Sequence, residues 1–343
     1  PADRIPVDFW ASEAMIRKLE RALGMAYAEL LDRWDVDFRY LPGPRYVGPA
    51  LPPDTDLWGV RRTRVRVGRG DGIEEYAEAV AAPLAAAQTV ADVHAYPHWP
   101  SPDWFDYGVI KVQCEAVRRR ERVVVFMGDR LNRVAQLKPA MYLRGVEAIL
   151  MDLALRPELA AAIFGRIRGF YLAYLERILQ AAQGGIDIVL TGDDFGAQQG
   201  LLASREMWRE FLEPGFREYL ALAKAYGAIT MHHTCGAVGE LIPDFIAAGL
   251  DVLQSLQPEA RGMGLAGLVE RFGGHISFHG GISIQRTLPR GRPEDIRAEV
   301  RIVADAVRGR GGYIFCTAHN IQADTPVENV LALLAAYREY GST

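Results

Sequence analysis

Cysteine is scarce in this chain, with only three among 343 residues. Three cysteines cannot all pair with one another, and so sparse a set argues against the disulfide framework of a small extracellular protein. The composition therefore predicts a protein of a reducing, cytoplasmic compartment.

The chain also lacks a strong excess of either charge and a long apolar run. Its formal net charge of −4 gives no overall attraction to nucleic acid or to an anionic membrane surface. No window reaches the unbroken apolar length that a membrane-spanning helix needs. We therefore expect neither nucleic acid nor a membrane as partner. One basic stretch alternates with valines and is typical of the solvent-exposed face of a strand or hairpin: Arg61, Arg62, Arg64, Arg66 and Arg69.

What the chain does have is a repeated alternation of short apolar runs with amphipathic stretches. Seven runs are predicted as strands, at 36–40, 122–127, 186–190, 228–232, 252–255, 275–279 and 313–316. The amphipathic stretches are predicted as helices at 142–155, 157–183, 204–225, 237–248, 262–272, 293–309 and 326–340. This alternation predicts an α/β fold with a parallel sheet covered by helices. Seven strands, and an eighth that the pattern does not place, favour a (β/α)8 TIM-type barrel over an open sheet, for which the GxGxxG motif is lacking.

Residues 41–121 fit this rhythm poorly and are rich in proline and aromatic residues. Loops this long inside a compact protein are usually functional. We interpret residues 1–343 as one barrel domain in which 41–121 form an N-terminal elaboration or insertion at one mouth of the barrel.

Two of the three cysteines occupy positions that suit a metal site. His233 and Cys235 follow one predicted strand, and their spacing puts both side chains on one face of an extended chain. Cys316 ends the last predicted strand. Zinc prefers such a mixture of thiolate and imidazole, and three protein ligands with an open fourth position are typical of a catalytic zinc. The alternative is that the cysteines are small buried residues, because a His-x-Cys pair alone is a weak signal.

Other polar residues of interest also stand at the carboxyl ends of predicted strands. Catalytic groups of a TIM-type barrel lie at that end, so residues distant in sequence are expected to meet in one cleft. The candidate catalytic residues are Asp193, Asp194 and His279, and the candidate substrate-binding residues are Gln254, Gln257 and His319.

The chemistry of these residues suggests their roles. One of the two aspartates is expected to complete the zinc shell or to orient a ligand histidine, whereas the alternative for either is a turn cap. His279 is a candidate proton carrier, or a histidine hydrogen-bonded at the rim. Cys114 lies in a helical pattern and is expected to be structural. Two thiolate ligands donate electron density to zinc and reduce its Lewis acidity, which favours activation of a thiol, and hence alkyl transfer, over hydrolysis.

At these residues the chain resembles the uroporphyrinogen decarboxylase superfamily, which includes zinc-dependent methyltransferases of corrinoid methyl-transfer systems. The segments that carry the resemblance are LTGDDFG at 190–196, HTCG at 233–236, FHGG at 278–281 and AHNIQ at 318–322. The resemblance covers most of the chain, is strongest beyond residue 186, and implies a TIM-type barrel.

The methyltransferase branch of the superfamily uses a His-x-Cys pair and a later cysteine as zinc ligands, which implies His233, Cys235 and Cys316 here. The decarboxylase branch uses an arginine-rich N-terminal segment to bind its polyanionic substrate, and the matching segment at 4–12 lacks it. The resemblance thus implies a methyltransferase or demethylase that uses zinc and works with a corrinoid (cobalamin) protein and a small-molecule methyl donor or acceptor. The alternatives are a cofactor-free decarboxylase of the porphyrin pathway and a non-catalytic ligand-binding barrel.

Overall fold

The structure is a computed structural model that describes residues 4–68, 70–128 and 133–342. The strands of the described residues, in chain order, are β1 (Phe38–Tyr40), β2 (Arg45–Tyr46), β3 (Arg61–Val67), β4 (Glu74–Ala81), β5 (Phe105–Asp106), β6 (Val123–Phe126), β7 (Ile188–Gly192), β8 (Ile229–His233), β9 (Val252–Leu256), β10 (Ser277–Gly280) and β11 (Tyr313–Ile314). Seven of them form one parallel sheet in the order β1-β6-β7-β8-β9-β10-β11. All seven strands predicted from the sequence correspond to strands of this sheet, so the predicted parallel α/β fold is confirmed.

Helices connect successive strands of this sheet and cover its outer face. Two predicted helices are each divided in two: 142–155 begins earlier and breaks at Gly145, whose φ of 95° is outside the helical range, and 204–225 breaks at Leu212, two residues before Pro214. The helices are α1 (Glu13–Leu23), α2 (Tyr27–Arg33), α3 (Val90–Ala95), α4 (Val109–Arg118), α5 (Leu137–Arg144), α6 (Val146–Leu155), α7 (Pro157–Ala182), α8 (Arg205–Phe211), α9 (Glu213–Ala225), α10 (Ile242–Ala248), α11 (Leu265–Phe272), α12 (Thr287–Arg290), α13 (Pro293–Val307) and α14 (Val327–Tyr340).

The sheet is curled, as shown by side chains from its first and last strands that pack in one cluster. Phe38 of β1 and Ile314 of β11 share this cluster with residues of the strands between them. Since alternate residues of a strand point to the same face, the members of the cluster lie on the concave face. They are Phe38, Val125, Ile188, Leu190, Met231, Val252 and Ile314, and a larger apolar cluster packs the sheet against the helices.

The N-terminal segment links the two edges of the curled sheet. The Val7 carbonyl accepts a hydrogen bond from the Asp37 N–H at 2.9 Å, and the Asp8 N–H donates to the Phe315 carbonyl at 2.9 Å. Val7 and Phe315 form a parallel bridge but not a full strand pair. In the described residues the sheet therefore has seven strands, fewer than the eight predicted, because residues 6–8 make too few ladder bonds to form a strand.

The described residues between 41 and 108 include two small antiparallel sheets, β2 with β5 and β3 with β4, together with α3. The basic stretch lies on the β3–β4 hairpin, as predicted, and three of its arginines are exposed. Arg62 is the exception: it is buried and forms an ion pair with Asp56 at 2.7 Å. Arg69 lies outside the described residues.

Buried ion pairs tie the outer layer together. The Arg144 guanidinium is buried, pairs with Asp152 at 2.8 Å, and donates to the carbonyls of Leu84 and two nearby residues.

Among the described residues, no helix combines the length and apolar character that crossing a membrane requires.

A second ion-pair cluster joins α8 to α10. Asp244 of α10 pairs with Arg205 and Arg209 of α8, at 2.6 Å each. Burial acts to raise the pKa of the Asp244 carboxyl, but the two guanidinium groups together have the larger, opposite effect. The pKa of Asp244 therefore lies below its ordinary value.

Candidate active site

His233 and Cys235 lie side by side at the carboxyl end of β8. His233 is the last residue of the strand, and both side chains point to the same side, as their spacing predicts. The His233 Nε2 atom lies 3.5 Å from the Cys235 Sγ atom. In a tetrahedral zinc site with Zn–N and Zn–S bonds of ordinary length, the distance between the ligand nitrogen and the ligand sulfur is about 3.6 Å. The pair therefore fits one zinc ion without rearrangement, and it also fits a thiol–imidazole hydrogen bond.

Gln254 of β9 fixes the orientation of the His233 ring. Its Oε1 atom lies 2.5 Å from His233 Nδ1, and both residues are buried. Because the amide oxygen can only accept, Nδ1 carries the proton, and the lone pair of Nε2 faces Cys235. Burial, Arg133 and His319 lower the pKa of His233 well below its ordinary value, which keeps the imidazole neutral. A neutral imidazole held by a hydrogen bond at its other nitrogen is the usual form of a metal-binding histidine.

The Cys235 thiol lies in a tightly constrained loop. Its Sγ atom is 3.6 Å from the hydroxyl of Ser255, a residue with the unusual φ of 81°, and that hydroxyl donates to the Ala318 carbonyl. Gly236 packs so close to the Gly196 carbonyl that a Cβ atom would collide with it. Burial, and next Asp194, raise the pKa of Cys235 to about 12, so the sulfur is a thiol in the absence of a cation. A coordinated divalent ion would deprotonate it.

The two adjacent aspartates have different surroundings. Asp193 is 3% exposed and accepts hydrogen bonds from the backbone N–H groups of Gln136, Leu137 and Lys138, at the start of α5. Burial raises the pKa of Asp193 to about 6, against the opposing effect of these three donors. Its geometry is that of a helix cap.

Asp194 faces the site instead. It pairs with the Lys138 ammonium at 2.5 Å and accepts from the Cys235 N–H at 3.1 Å. Its Oδ1 atom lies 3.8 Å from His233 Nε2. Burial acts to raise the pKa of Asp194, but the Lys138 ammonium and the Cys235 N–H oppose this effect, and the pKa lies below its ordinary value, so the carboxyl is ionised. Of the two aspartates, Asp194 has the geometry to act on the His233–Cys235 pair.

His319 stands on the open side of this pair. One ligand atom from each of His233, Cys235 and His319 lies within 4.8 Å of the other two. The rings of His233 and His319 are 5.3 Å apart, and Trp10 stacks on His233 at 5.8 Å. Gln257 supports the same loop by accepting a hydrogen bond from the Gly236 N–H at 2.7 Å.

A cavity of about 390 Å³ opens beside these residues. Its walls combine aromatic rings, charged groups and the polar residues of the strand ends. They are Trp58, Arg62, Tyr76, Glu78, Arg133, Ala135, Lys138, Pro139, Tyr142, Tyr171, Gly192, Asp193, Asp194, His233, His319 and Asn320.

Cys316 and His279 belong to a neighbouring buried cluster. His279 Nε2 lies 2.9 Å from the Asp8 carboxylate, which also accepts from the Tyr40 hydroxyl at 2.5 Å. Ligand atoms of Asp8, His279 and Cys316 lie within 4.8 Å of one another. Burial, and next the Asp8 charge, raise the pKa of the Cys316 thiol well above its ordinary value.

The structure thus divides the predicted site residues into two groups. His233, Cys235, His319, Asp194 and Gln254 meet in one place, whereas His279 and Cys316 lie together with Asp8. Gln254 lies behind His233 and not on the cavity wall, so its contact is to the imidazole. Cys114 is buried in α4. Sequence reasoning did not select Asp8, Trp10, Lys138 or Ser255; only the N-terminal position of the first two, in a segment already compared with the superfamily, could have drawn attention to them.

The chain belongs to the uroporphyrinogen decarboxylase family, because the family described as "Uroporphyrinogen decarboxylase (URO-D)" matches residues 112–340. A comparison with curated proteins gives no match. Among solved structures, a methyltransferase from Methanosarcina mazei has a TM-score of 0.68 at 18% identity, covering 99% of this chain and 95% of that chain. A 3-keto-D-glucoside 4-epimerase from E. coli has a TM-score of 0.43 at 11% identity, over 68% of this chain and 84% of the other. The first match shows a shared fold, and the second is too distant to inform function.

Proposed function

We propose that this protein is a zinc-dependent methyltransferase or demethylase that moves a methyl group between a small molecule and a corrinoid (cobalamin) protein. His233 and Cys235 would bind the zinc, and the third ligand that the family resemblance implies is Cys316, although the structure groups its sulfur with Asp8 and His279 and not with this pair. The observation that carries the proposal is the 3.5 Å separation of His233 Nε2 and Cys235 Sγ beside an open cavity. The similarity in fold to a methyltransferase supports it.

Each residue of the site has a task in this proposal. The zinc, when bound, would lower the pKa of a substrate thiol or polarise a leaving oxygen. Gln254 orients the His233 ring, and Ser255 contacts the Cys235 sulfur. Asp194 holds the Cys235 backbone and keeps Lys138 at the edge of the cavity. The Asp8–His279 pair, next to Cys316, is the candidate proton-carrying group.

The cavity suits a small, partly aromatic or apolar substrate. Four aromatic residues line it, two of them, Trp58 and Tyr76, from the elaboration at 41–121, which we propose covers this mouth of the barrel. Three cations, Arg62, Arg133 and Lys138, also line it, and two of them, Arg62 and Lys138, are each paired with an aspartate. Such paired cations provide little net charge for the many carboxylates of a porphyrinogen. This favours methyl transfer over the decarboxylase alternative within the same family.

Methyl transfer can be tested with free methylcobalamin as the corrinoid and 2-mercaptoethanol as the acceptor thiol. Zinc-loaded protein is expected to convert methylcobalamin to its demethylated Co(I) form, with the methyl group recovered as a thioether, and the absorbance change gives the rate under anaerobic conditions. Cys235→Ser is expected to abolish this reaction, whereas Cys114→Ser, which removes a thiol remote from the site, serves as the matched control. Turnover of uroporphyrinogen by metal-free protein would instead establish the decarboxylase alternative. Ligand binding without either reaction would indicate a non-catalytic barrel.

We also propose a cytoplasmic location. All three cysteines are unpaired, and a reducing compartment would keep Cys235 and Cys316 available as ligands.

A further inference from the structure

We infer that His319 is a displaceable ligand of the proposed zinc, occupying the position that the substrate takes during the reaction. The inference rests on the proposed function and adds to it the identity of the resting fourth ligand and the point at which the substrate enters.

Geometry favours His319 over the other candidates for this position. One of its ring nitrogens lies within 4.8 Å of a His233 ring nitrogen and of Cys235 Sγ, so a small movement of its side chain would bring the three groups to one ion. Asp194 is less suitable, although its Oδ1 atom is 3.8 Å from His233 Nε2. Its two carboxylate oxygens are already engaged by the Lys138 ammonium and the Cys235 N–H. A ligand taken from these partners would leave the ammonium unpaired at the edge of the cavity.

The position of His319 in the fold explains why it would be displaceable. His233 is buried and held by Gln254, so its nitrogen cannot move away without breaking that hydrogen bond. Cys316 is 2% exposed. His319, in contrast, is only half-buried and lines the cavity. It also belongs to the loop that follows β11, outside any strand or helix, where a small backbone movement costs less than in the sheet.

This arrangement reconciles two roles for one residue. The sequence predicts His319 as a substrate-binding residue, and the structure places its ring beside the two most favourable zinc ligands. The His319 imidazole, closing the resting site, would exclude water from the ion. A substrate thiol that bound there as a thiolate would release its proton to the solvent and replace the imidazole, and the His319 side chain would then line the wall beside the substrate.

Zinc X-ray absorption of the full-length protein tests the inference without depending on activity. The imidazole and sulfur contributions are measured in wild type, in His319→Ala and in Asn320→Ala. Asn320 is the matched control, because it is the next residue and lines the same cavity. His319→Ala is expected to have one imidazole fewer than wild type, and Asn320→Ala the same number. Should His319→Ala fail to fold, His319→Gln keeps a polar side chain of similar length.

A second measurement adds 2-mercaptoethanol as the probe for a substrate thiol. Wild type is expected to gain one sulfur ligand and lose one imidazole, whereas His319→Ala gains the sulfur and loses no imidazole. Equal imidazole counts in wild type and His319→Ala would overturn the inference while leaving the proposed function standing. Retention of every imidazole by wild type after thiol binding would overturn the displacement. A wild-type protein that takes up no zinc would overturn both the inference and the proposed function.

Discussion

The contact between Gln254 and His233 offers a sharp test of the proposed metal centre. We expect Gln254→Leu to weaken zinc binding, because leucine fills a similar volume but offers no acceptor to His233 Nδ1. The imidazole would then be free to rotate or to change tautomer, and its Nε2 lone pair would no longer be held toward Cys235 Sγ, 3.5 Å away.

The size of the effect follows from the burial of this pair. Loss of a hydrogen-bonding partner behind a metal-binding histidine typically reduces metal affinity by about 10- to 100-fold, or about 1.4 to 2.7 kcal/mol. The metal-free protein should also be less stable. Gln254 is 1% exposed, so water cannot replace it, and an unsatisfied buried donor costs about 1–3 kcal/mol.

Zinc affinity is measured by competition with a chromophoric chelator, and stability by urea unfolding of the metal-free protein. Gln257→Leu is the matched control: it makes the same substitution three residues later, where the side chain contacts the Gly236 N–H and not the imidazole. Gln254→Glu should restore binding, because a carboxylate accepts the same hydrogen bond. Wild-type zinc affinity in Gln254→Leu would refute the role of His233 as a ligand oriented in this way.

Three further predictions concern the scaffold of the site. Asp193→Asn is expected to destabilise the protein by about 1–3 kcal/mol in urea unfolding, since the amide cannot accept all three N–H groups at the start of α5; an unchanged midpoint would contradict its role as a cap. Arg144→Met should cost about 3 kcal/mol in the same assay, because the buried Asp152 carboxylate keeps only Arg156 as ion-pair partner and three carbonyls lose their donor, and a loss below about 1 kcal/mol would argue against this. The pKa of Asp244 is lowered by folding, so its contribution to stability is fully present above the unfolded pKa of about 3.9 and is lost as the pH falls through the lower folded pKa. Asp244→Asn should therefore reduce the stability difference between pH 5 and pH 3, and an undiminished difference would exclude this carboxylate as its source.

The strands were predictable because each is a short apolar run bounded by polar or glycine residues. In β7 and β9 every residue is buried. β7 is apolar as far as Leu190, as expected of a buried parallel strand, whereas β9 carries the polar Gln254 and Ser255 before its last residue, Leu256. The start of α7 at Pro157 and the N-cap of α8 at Ser204 were also readable from local rules. The divisions at Gly145 and Leu212 were not predicted, since periodicity continues across a single-residue break.

Part of the site was also accessible from sequence. His233 and Cys235 share a face because the two-residue period of an extended chain requires it. The grouping of His319 with this pair, and of Cys316 with Asp8 and His279, depends on distances between segments more than 30 residues apart in the chain, and local spacing does not determine such distances.

The sequence by itself determined the alternation of strand and helix, the family, and the presence of imidazole and thiol at one strand end, because these depend on neighbouring residues along the chain. Only the tertiary structure decided which aspartate caps a helix and which faces the site, that Gln254 lies behind an imidazole, and that the N-terminal segment brings Asp8 and Trp10 beside the strand ends. These outcomes follow from how the sheet curls and from which groups burial forces into hydrogen bonds, and both are properties of the packed chain as a whole.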